Sequence, residues 1–321
     1  MPCLHRKVGK DSMNVGLIDV DGHNFPNLAL MRISAYHKAQ GDHVEWWMGD
    51  LFHYDIVYKS KVFSDAYSKD VPDPINCDKV IKGGTGYNIF LRGGVEFYDK
   101  SKDTQLPPEI EKMFPDYSIY PQYGYAVSMT SRGCPRGCDF CHVAAKEGRR
   151  SVKVADVSDF WNGQKEIQVL DPNITACRDK GELFEQYIET GANIVFNQGL
   201  DIRLLRETDI DQLNRMKLRD IHFAWDNPKE DLEDKFRQYA KLTKHKHHGS
   251  FGTVYCLTNF NSTIDEDLHR IYTLRDLGYD PYVMIYNKAS APQEIRDLQR
   301  WCNNRLIFKS EPKFENYDRR R

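Results

Sequence analysis

The 321-residue chain carries almost no net charge: 45 lysines and arginines stand against 47 aspartates and glutamates, leaving −2 at neutral pH. That balance removes any general electrostatic reason to bind nucleic acid or an anionic membrane. No apolar run approaches the ~18–20 residues that span a bilayer. The N-terminus, MPCLHRKVGKDSMN, has no apolar h-region, so no secretory signal is expected. A soluble, cytoplasmic protein with no membrane partner is the expectation. No repeat of short fixed period occurs in the chain. Paired cysteines are also scarce. Cys3, Cys77, Cys177, Cys256 and Cys302 lie far apart, whereas disulfide frameworks belong to short exported chains. These five are expected to be small buried hydrophobes or inert thiols, and no second close-spaced group offers an auxiliary cluster.

What is present is a core-forming composition, 40% hydrophobic and 12% aromatic, enough for one large or two modest domains at roughly 150 residues each. Residues 1–13 read as a leader. NVGLIDVD (14–21), DHVEWW (42–47), YDIVYKSKVF (54–63) and DKVIKGG (78–84) read as strands, with a helix over 27–41 ended by Gly41. That alternation predicts a small Rossmann-like α/β domain over 14–98. Residues 99–121, rich in proline and charge, read as a linker. From 122 to 310 six strand–helix pairs follow, starting at YAVSMTS, EIQVLD, NIVFNQGLD, DIHFAWD, FGTVYCLT and DPYVMIY. Six such pairs predict a partial parallel (βα)6 barrel, with 311–321 as a basic tail.

In parallel α/β barrels functional groups sit where strands end and helices begin. The predicted strand ends carry Cys134–Cys141, Asp171-Pro172-Asn173, Gln198 with Asp201 and Arg203, Asp226-Asn227, Thr258-Asn259, and Tyr286-Asn287. Any one of these also suits a turn or a helix cap. Six on one rim mark a candidate site.

Three cysteines, Cys134, Cys138 and Cys141, crowd the first strand end. Structural zinc needs four ligands, usually as two close pairs; His142 adjoins Cys141, and no distant pair completes the set. A redox CxxC would leave Cys134 unexplained. Thiols that only pack do not call for Gly133, Pro135 and Gly137, which build tight turns and admit a bulky group. An iron–sulfur cube accepts thiolates on separate irons, so three ligands leave one iron open for a substrate or cofactor.

The run Cys134-Pro-Arg-Gly-Cys138-Asp-Phe-Cys141, of form CxxxCxxC, directly after the first strand of a (βα)6 pattern, resembles the radical S-adenosylmethionine (radical SAM) superfamily. The resemblance covers residues 122–310. It implies a [4Fe–4S] cluster held by Cys134, Cys138 and Cys141, with the open iron chelated by S-adenosyl-L-methionine. It further implies reductive cleavage of that cofactor to a 5′-deoxyadenosyl radical, driven by a one-electron donor such as flavodoxin or ferredoxin. Under this reading Arg203 meets the cofactor carboxylate, or else pairs with Asp201 or Glu207. Asp171, Asn173 and Asp226 are candidate acceptors for its amino group and hydroxyls. Phe140 and the ends of strands five and six, including Asn287, flank the adenine, and Gln198 and Asp201 serve the cofactor or the substrate. The family's Gly-Gly-Glu at the end of strand two is replaced here by Leu170-Asp171-Pro172-Asn173. The substrate itself is not legible.

The order of the two domains resembles radical SAM proteins with an N-terminal cobalamin-binding-like domain. Asp21-Gly22-His23 follows the first strand, where such domains carry Asp-x-His-x-x-Gly, but position 26 is proline. His23 is therefore expected in a loop or capping role rather than on cobalt, and cobalamin ranks as a secondary expectation. Gly83-Gly84-Thr85-Gly86 is a weak phosphate-cradle candidate. A degenerate domain that shapes substrate access is the preferred reading of this half. KLTKHKHHGS (241–250) and the terminal DRRR are the basic concentrations; a solvated helix end accounts for the first, with nucleic-acid contact as the minor alternative.

Overall fold

The first two strands of the chain already run parallel, as a strand–helix–strand unit requires. The computed structural model describes residues 12–93 and 95–318, so most of the expected 1–13 leader, Cys3 and the last three residues of the tail lie outside the described residues. The contact pattern divides the chain between Gly124 and Tyr125 into two units.

In the first unit β1 (Asn14–Asp19), β2 (His43–Trp46), β3 (Ile56–Ser60) and β4 (Val80–Gly83) form a parallel sheet in the order β2-β1-β3-β4. Helix α1 (Leu28–Ala39) makes the β1–β2 crossover. Asn27 caps it, its side chain accepting from Leu30 N–H (3.2 Å) while its amide donates to Ser60 Oγ (2.8 Å). Among the described residues the β2–β3 and β3–β4 connections hold no helix. Instead the buried Lys59 and Lys61 tie the β3–β4 connection down. Lys59 pairs with Asp70 (2.8 Å) and Asp73 (2.9 Å), and Lys61 with Asp65. Paired in this way, buried ammonium groups keep the partners that burial demands. A hairpin of β5 (Ile89–Arg92) and β6 (Val95–Tyr98) follows, then α2 (Pro108–Glu111). Residues 99–121 are built onto the same unit. Glu111 pairs with Arg32 (2.6 Å), Asp116 with Lys38 (2.7 Å), and Tyr120 Oη donates to Asp19 (2.7 Å).

The second unit is the partial (βα)6 barrel. Its first strand, β7 (Ala126–Ser128), is followed by the short hairpin partners β8 (Ser131–Arg132) and β9 (Val152–Lys153), with the one-turn helix α3 (Val143–Glu147) between them. The series continues with β10 (Glu166–Val169), α4 (Lys180–Thr190), β11 (Asn193–Phe196), α5 (Glu207–Arg215), β12 (Lys217–Asp220), β13 (His222–Ala224) and α6 (Glu233–Leu242). It ends with β14 (Thr253–Thr258), α7 (Ile264–Asp276), β15 (Asp280–Ile285), α8 (Gln293–Asn303) and α9 (Arg305–Ser310). All core pairings are parallel: β7-β10-β11-β12 in one sheet and β13-β14-β15 in another.

The fourth strand, expected as one piece over 220–226, is thus two. Pairing skips a residue where Val195 meets Asp220, and the Asp220 carboxylate takes the Ile221 N–H (2.8 Å), removing it from the ladder. Ile221 C=O accepts from Thr253 N–H (3.1 Å) at the start of the β13–β14 ladder, and His222 C=O accepts from Leu200 N–H (2.8 Å) after β11, a bond that stitches the two sheets at the break. Helix faces bury Phe184, Leu213, Phe236, Ile271, Leu298 and Trp301 against the strands. Cys177, Cys256 and Cys302 lie in this core, and burial pushes the Cys256 thiol up to about 12. They are packing residues, as expected.

The glycines after β4 are spent on the chain itself. A Cβ on Gly84 (φ +102°) would overlap the Lys61 carbonyl, and one on Gly86 would overlap that of Phe63. The Gly83–Gly86 run thus admits its own backbone rather than a phosphate. Gly84→Ala is expected to destabilise the first unit by about 3 kcal/mol, read as a lowered urea midpoint at unchanged slope.

Candidate metal centre

The cysteine loop leaves the end of β7 at a point fixed by a buried carboxylate. Asp171, 3% exposed, accepts from the backbone N–H of Thr130 (2.8 Å) and Ser131 (2.5 Å) and from the hydroxyls of both (2.8 and 2.6 Å). Burial pushes its carboxyl above the usual range, and these four donors work against that shift. Both of its oxygens accept hydrogen bonds inside the fold, where the residue positions the loop.

From there Ser131 and Arg132 pair antiparallel with Val152 and Lys153, closing residues 133–151 into a loop. Cys134 N–H donates to Gly148 C=O (3.1 Å), Gly133 N–H to the Glu147 carboxylate (3.2 Å), and Cys141 N–H to Cys138 C=O (2.9 Å). Gly133 (φ +90°) lies so close to Arg150 C=O that a side chain would overlap it. Cys134 and Cys138 are half-buried and Cys141 exposed. Burial pushes the Cys138 thiol up, followed by Cys141, Asp226 and Cys134, while Arg203 pulls it down. Crowding by protein likewise raises Cys141, with further upward pushes from Cys134, Asp226 and Glu147 against the Val143 N–H. Cys138 and Cys141 thus both lie within reach of Cys134 and of Asp226, and Cys138 also of Arg203.

Among the described residues no three His, Cys, Asp or Glu side chains converge as ligands of a single ion. A cube does not ask that of them, because each thiolate meets a different iron. The donor set, three thiols on a loop held open by glycines, fits such a group. Asn173 adds a neighbour: its Nδ2 donates to Cys134 Sγ (3.4 Å). Asn173 is buried, with its amide facing the sulfur.

The rim beyond the loop carries a charge chain that the sequence did not reveal in full. Arg136, inside the cysteine motif, donates to Asp201 (2.8 Å), and Asp201 also accepts from Arg203 Nε (2.6 Å). Arg203 in turn pairs with Glu230 (2.5 Å). The expected alternative partner Glu207 is not the one used. Burial opposes the charge on Asp201, but the two guanidiniums outweigh it and hold the carboxyl below its usual range. Arg136 and Glu230 were not singled out from the sequence; Arg136 sits among the cysteines, and that spacing was its only signal.

Asp226 is partly buried, its Oδ1 accepting from Leu257 N–H (3.1 Å), and burial raises its carboxyl against Leu257, Arg270 and Arg203. Phe140 packs edge-on against Phe260 (centroids 5.7 Å apart), and Phe260 against Tyr286 (4.8 Å). The structure thereby brings the cysteine loop and the ends of β14 and β15 into one aromatic wall. Asn287, at φ +45°, turns the chain after β15, its carbonyl accepting from Ser290 N–H and Oγ–H. Gln198 is exposed on the turn after β11. In the 241–250 stretch Lys246 lies over Phe251 (4.6 Å) and His245 Nε2 bonds to Leu213 C=O (2.8 Å), so part of that basic segment is engaged in packing.

In the first unit His23 is exposed. Its ring meets Trp46 edge-on (4.2 Å), its carbonyl accepts from Tyr123 Oη–H (2.6 Å), and among the described residues no hydrogen bond reaches its ring nitrogens.

This arrangement, a cysteine triplet at the C-terminal end of the first strand of a parallel six-strand array with a Rossmann-like unit before it, is the fold of radical SAM enzymes that carry an N-terminal cobalamin-binding-like domain. The particular likeness is to the radical S-adenosylmethionine methyltransferase TsrM from Kitasatospora setae. Its structure with cobalamin and a [4Fe–4S] cluster bound matches at a TM-score of 0.60 and 11% identity, covering 86% of this chain and 75% of that one. Its structure with a tryptophan substrate and a SAM analogue matches at 0.59 and 11%, covering 85% and 73%. No protein-family model matches the chain, and no curated protein matches it.

Asp171→Ala would strand four buried donors at the root of the loop. It is expected to cost about 3–5 kcal/mol in urea unfolding, and to lower iron uptake on anaerobic reconstitution. Arg136→Gln, which leaves Asp171 untouched, should retain most of the stability.

Proposed function

We propose that the chain is a cobalamin-dependent radical SAM methyltransferase acting on a small molecule. The observation that carries the reading is the CxxxCxxC loop at the C-terminal end of the first barrel strand, closed by the pairing of β8 with β9. The cobalamin part draws support from the TsrM likeness, which extends over both units at the fold level. Cobalamin, ranked second from the Asp21-Gly22-His23 mismatch, is therefore moved forward. The ends of β1 to β3 offer exposed Phe25, Met48, Phe52 and Phe63, an apolar surface at the edge where open parallel sheets take ligands. Among the described residues no hydrogen bond reaches the His23 imidazole there, but Pro26 and the Trp46 contact argue for a packing role.

Bound together, the cluster, SAM and cobalamin would supply one-electron chemistry and methyl transfer. The chain's own residues have separable tasks in this reading. Cys134, Cys138 and Cys141 each offer a thiolate to a separate iron. Arg203, balanced by Asp201 and Glu230, sets a cation beside Cys138 where a cofactor carboxylate would replace Glu230. Phe140, Phe260 and Tyr286 form a face for a planar base, while Asp226 and Gln198 offer polar groups to cofactor or substrate. The reducing electron comes from a small donor protein of the flavodoxin or ferredoxin type.

A radical SAM enzyme without cobalamin is the second reading, favoured by Pro26. Anaerobic reconstitution tests both, with about four irons per chain expected. Dithionite with SAM and hydroxocobalamin should give demethylated or cleaved SAM products, and replacing the three cysteines by alanine should abolish iron binding and turnover together. Cobalamin should co-elute with the chain on gel filtration and survive the cysteine replacements. A clustered protein that never consumes SAM sinks the enzyme reading; failure to retain cobalamin sinks the methyltransferase part alone.

A further inference from the structure

We propose that Asn173 is a positioning residue for the cluster's electronics: its side-chain N–H donates to the Cys134 sulfur and raises the reduction potential of the cluster held there. The inference rests on the cluster reading above. It starts from the orientation of the amide, which its neighbours determine. Oδ1 accepts from Thr175 Oγ1–H (2.7 Å) and Ala176 N–H (3.2 Å), both of them donors, so the oxygen end is committed to them. The amino end is left to face Cys134 Sγ at 3.4 Å. A flipped amide would set its N–H group against the Ala176 N–H donor and its oxygen against a thiolate.

The amide is also held from its own backbone. Asn173 is buried, its carbonyl accepts from Ser151 Oγ–H (2.9 Å), and it caps the turn Ile174–Ala176. Two residues earlier Asp171 fixes the same strand end to Thr130 and Ser131. The donor and the cysteine thus sit on two segments that one buried carboxylate ties together. Asn173 is therefore built into the cysteine loop's wall.

The consequence follows from where charge goes on reduction. An added electron spreads onto the cluster and its thiolates, and a hydrogen bond to a ligating sulfur stabilises that extra charge, making reduction easier. Cys141 receives a backbone N–H from Val143, a contact that mutation cannot remove. Asn173 supplies a side-chain donor, and is the adjustable one.

The experiment uses the full chain, reconstituted anaerobically without SAM, in a potentiometric titration followed by electron paramagnetic resonance of the reduced cluster. Asn173→Asp keeps the shape and the acceptor for Thr175 and Ala176 while replacing the N–H donor with an oxygen; Asn173→Ala removes both. Each should take up iron as the parent does and be harder to reduce, by about tenfold in the equilibrium constant, or about 59 mV for a one-electron couple, with Asp at least as large as Ala. Equal potentials at equal iron content would overturn the inference. So would loss of iron in both variants with native circular dichroism, since the amide would then hold the cluster rather than tune it. A parent chain that takes up no iron would instead sink the cluster reading itself.

Discussion

One buried carboxylate decides where the chemistry of this molecule can be. Asp171 ends β10, yet its four hydrogen bonds go to Thr130 and Ser131, the residues that carry β7 into the cysteine loop. Neighbouring parallel strands share ladder bonds along their length, but their ends are free to splay. Here the splay is cancelled at the one place where a loop must be held still. Removing any single donor would leave the other three to hold the register; removing the acceptor orphans all of them at once.

Around that fixed point the rim balances charge. Arg136 and Arg203 are matched by Asp201 and Glu230, so the chain Arg136–Asp201–Arg203–Glu230 is neutral as it stands. Its members come from the cysteine loop, the end of β11 and the segment before α6. The loop is thus tied on one side to β10 through Asp171 and on another to β11 through Arg136. The aromatic contacts of Phe140 with Phe260, and of Phe260 with Tyr286, tie it to the far strands. A loop with three thiols, three positive-φ glycines and a single-turn helix of its own gains its rigidity from these outside partners.

Much of this was legible before any coordinates. Period-two apolar runs and glycine stops mark the strand segments of the second unit, the fourth as a single run, and the spacing of Cys134, Cys138 and Cys141 marks a candidate centre at the first strand end. That Phe140 shares a rim with the ends of strands five and six follows from the strand order, whereas its contact with Phe260 is a matter of side-chain direction. What was hidden is the direction in which a polar strand-end residue points. Asp171 and Asn173 look in the sequence like any acidic or amide rim group, and only their donors show that one holds the backbone and the other faces a sulfur. Arg136 was masked by the motif it sits in. The break in strand four was hidden as well, because Asp220 caps its own neighbour's N–H, a local competition that alternating hydrophobicity does not record. In the first unit the helix-free β3–β4 connection is held by ion pairs from Lys59 and Lys61, which periodicity cannot announce.

That break at Ile221 has a further meaning. It makes the barrel a seam-joined pair of shells, four strands whose ends carry the thiols with Arg136, Asp201 and Arg203, and three whose ends carry Glu230, Phe260 and Tyr286. The backbone bond from Leu200 N–H to His222 C=O crosses the seam. Insertions or substitutions along it would change the gap between the two shells while leaving each shell's internal registry intact. A lineage could therefore refit this scaffold to molecules of different width without disturbing the half that holds the cysteine loop.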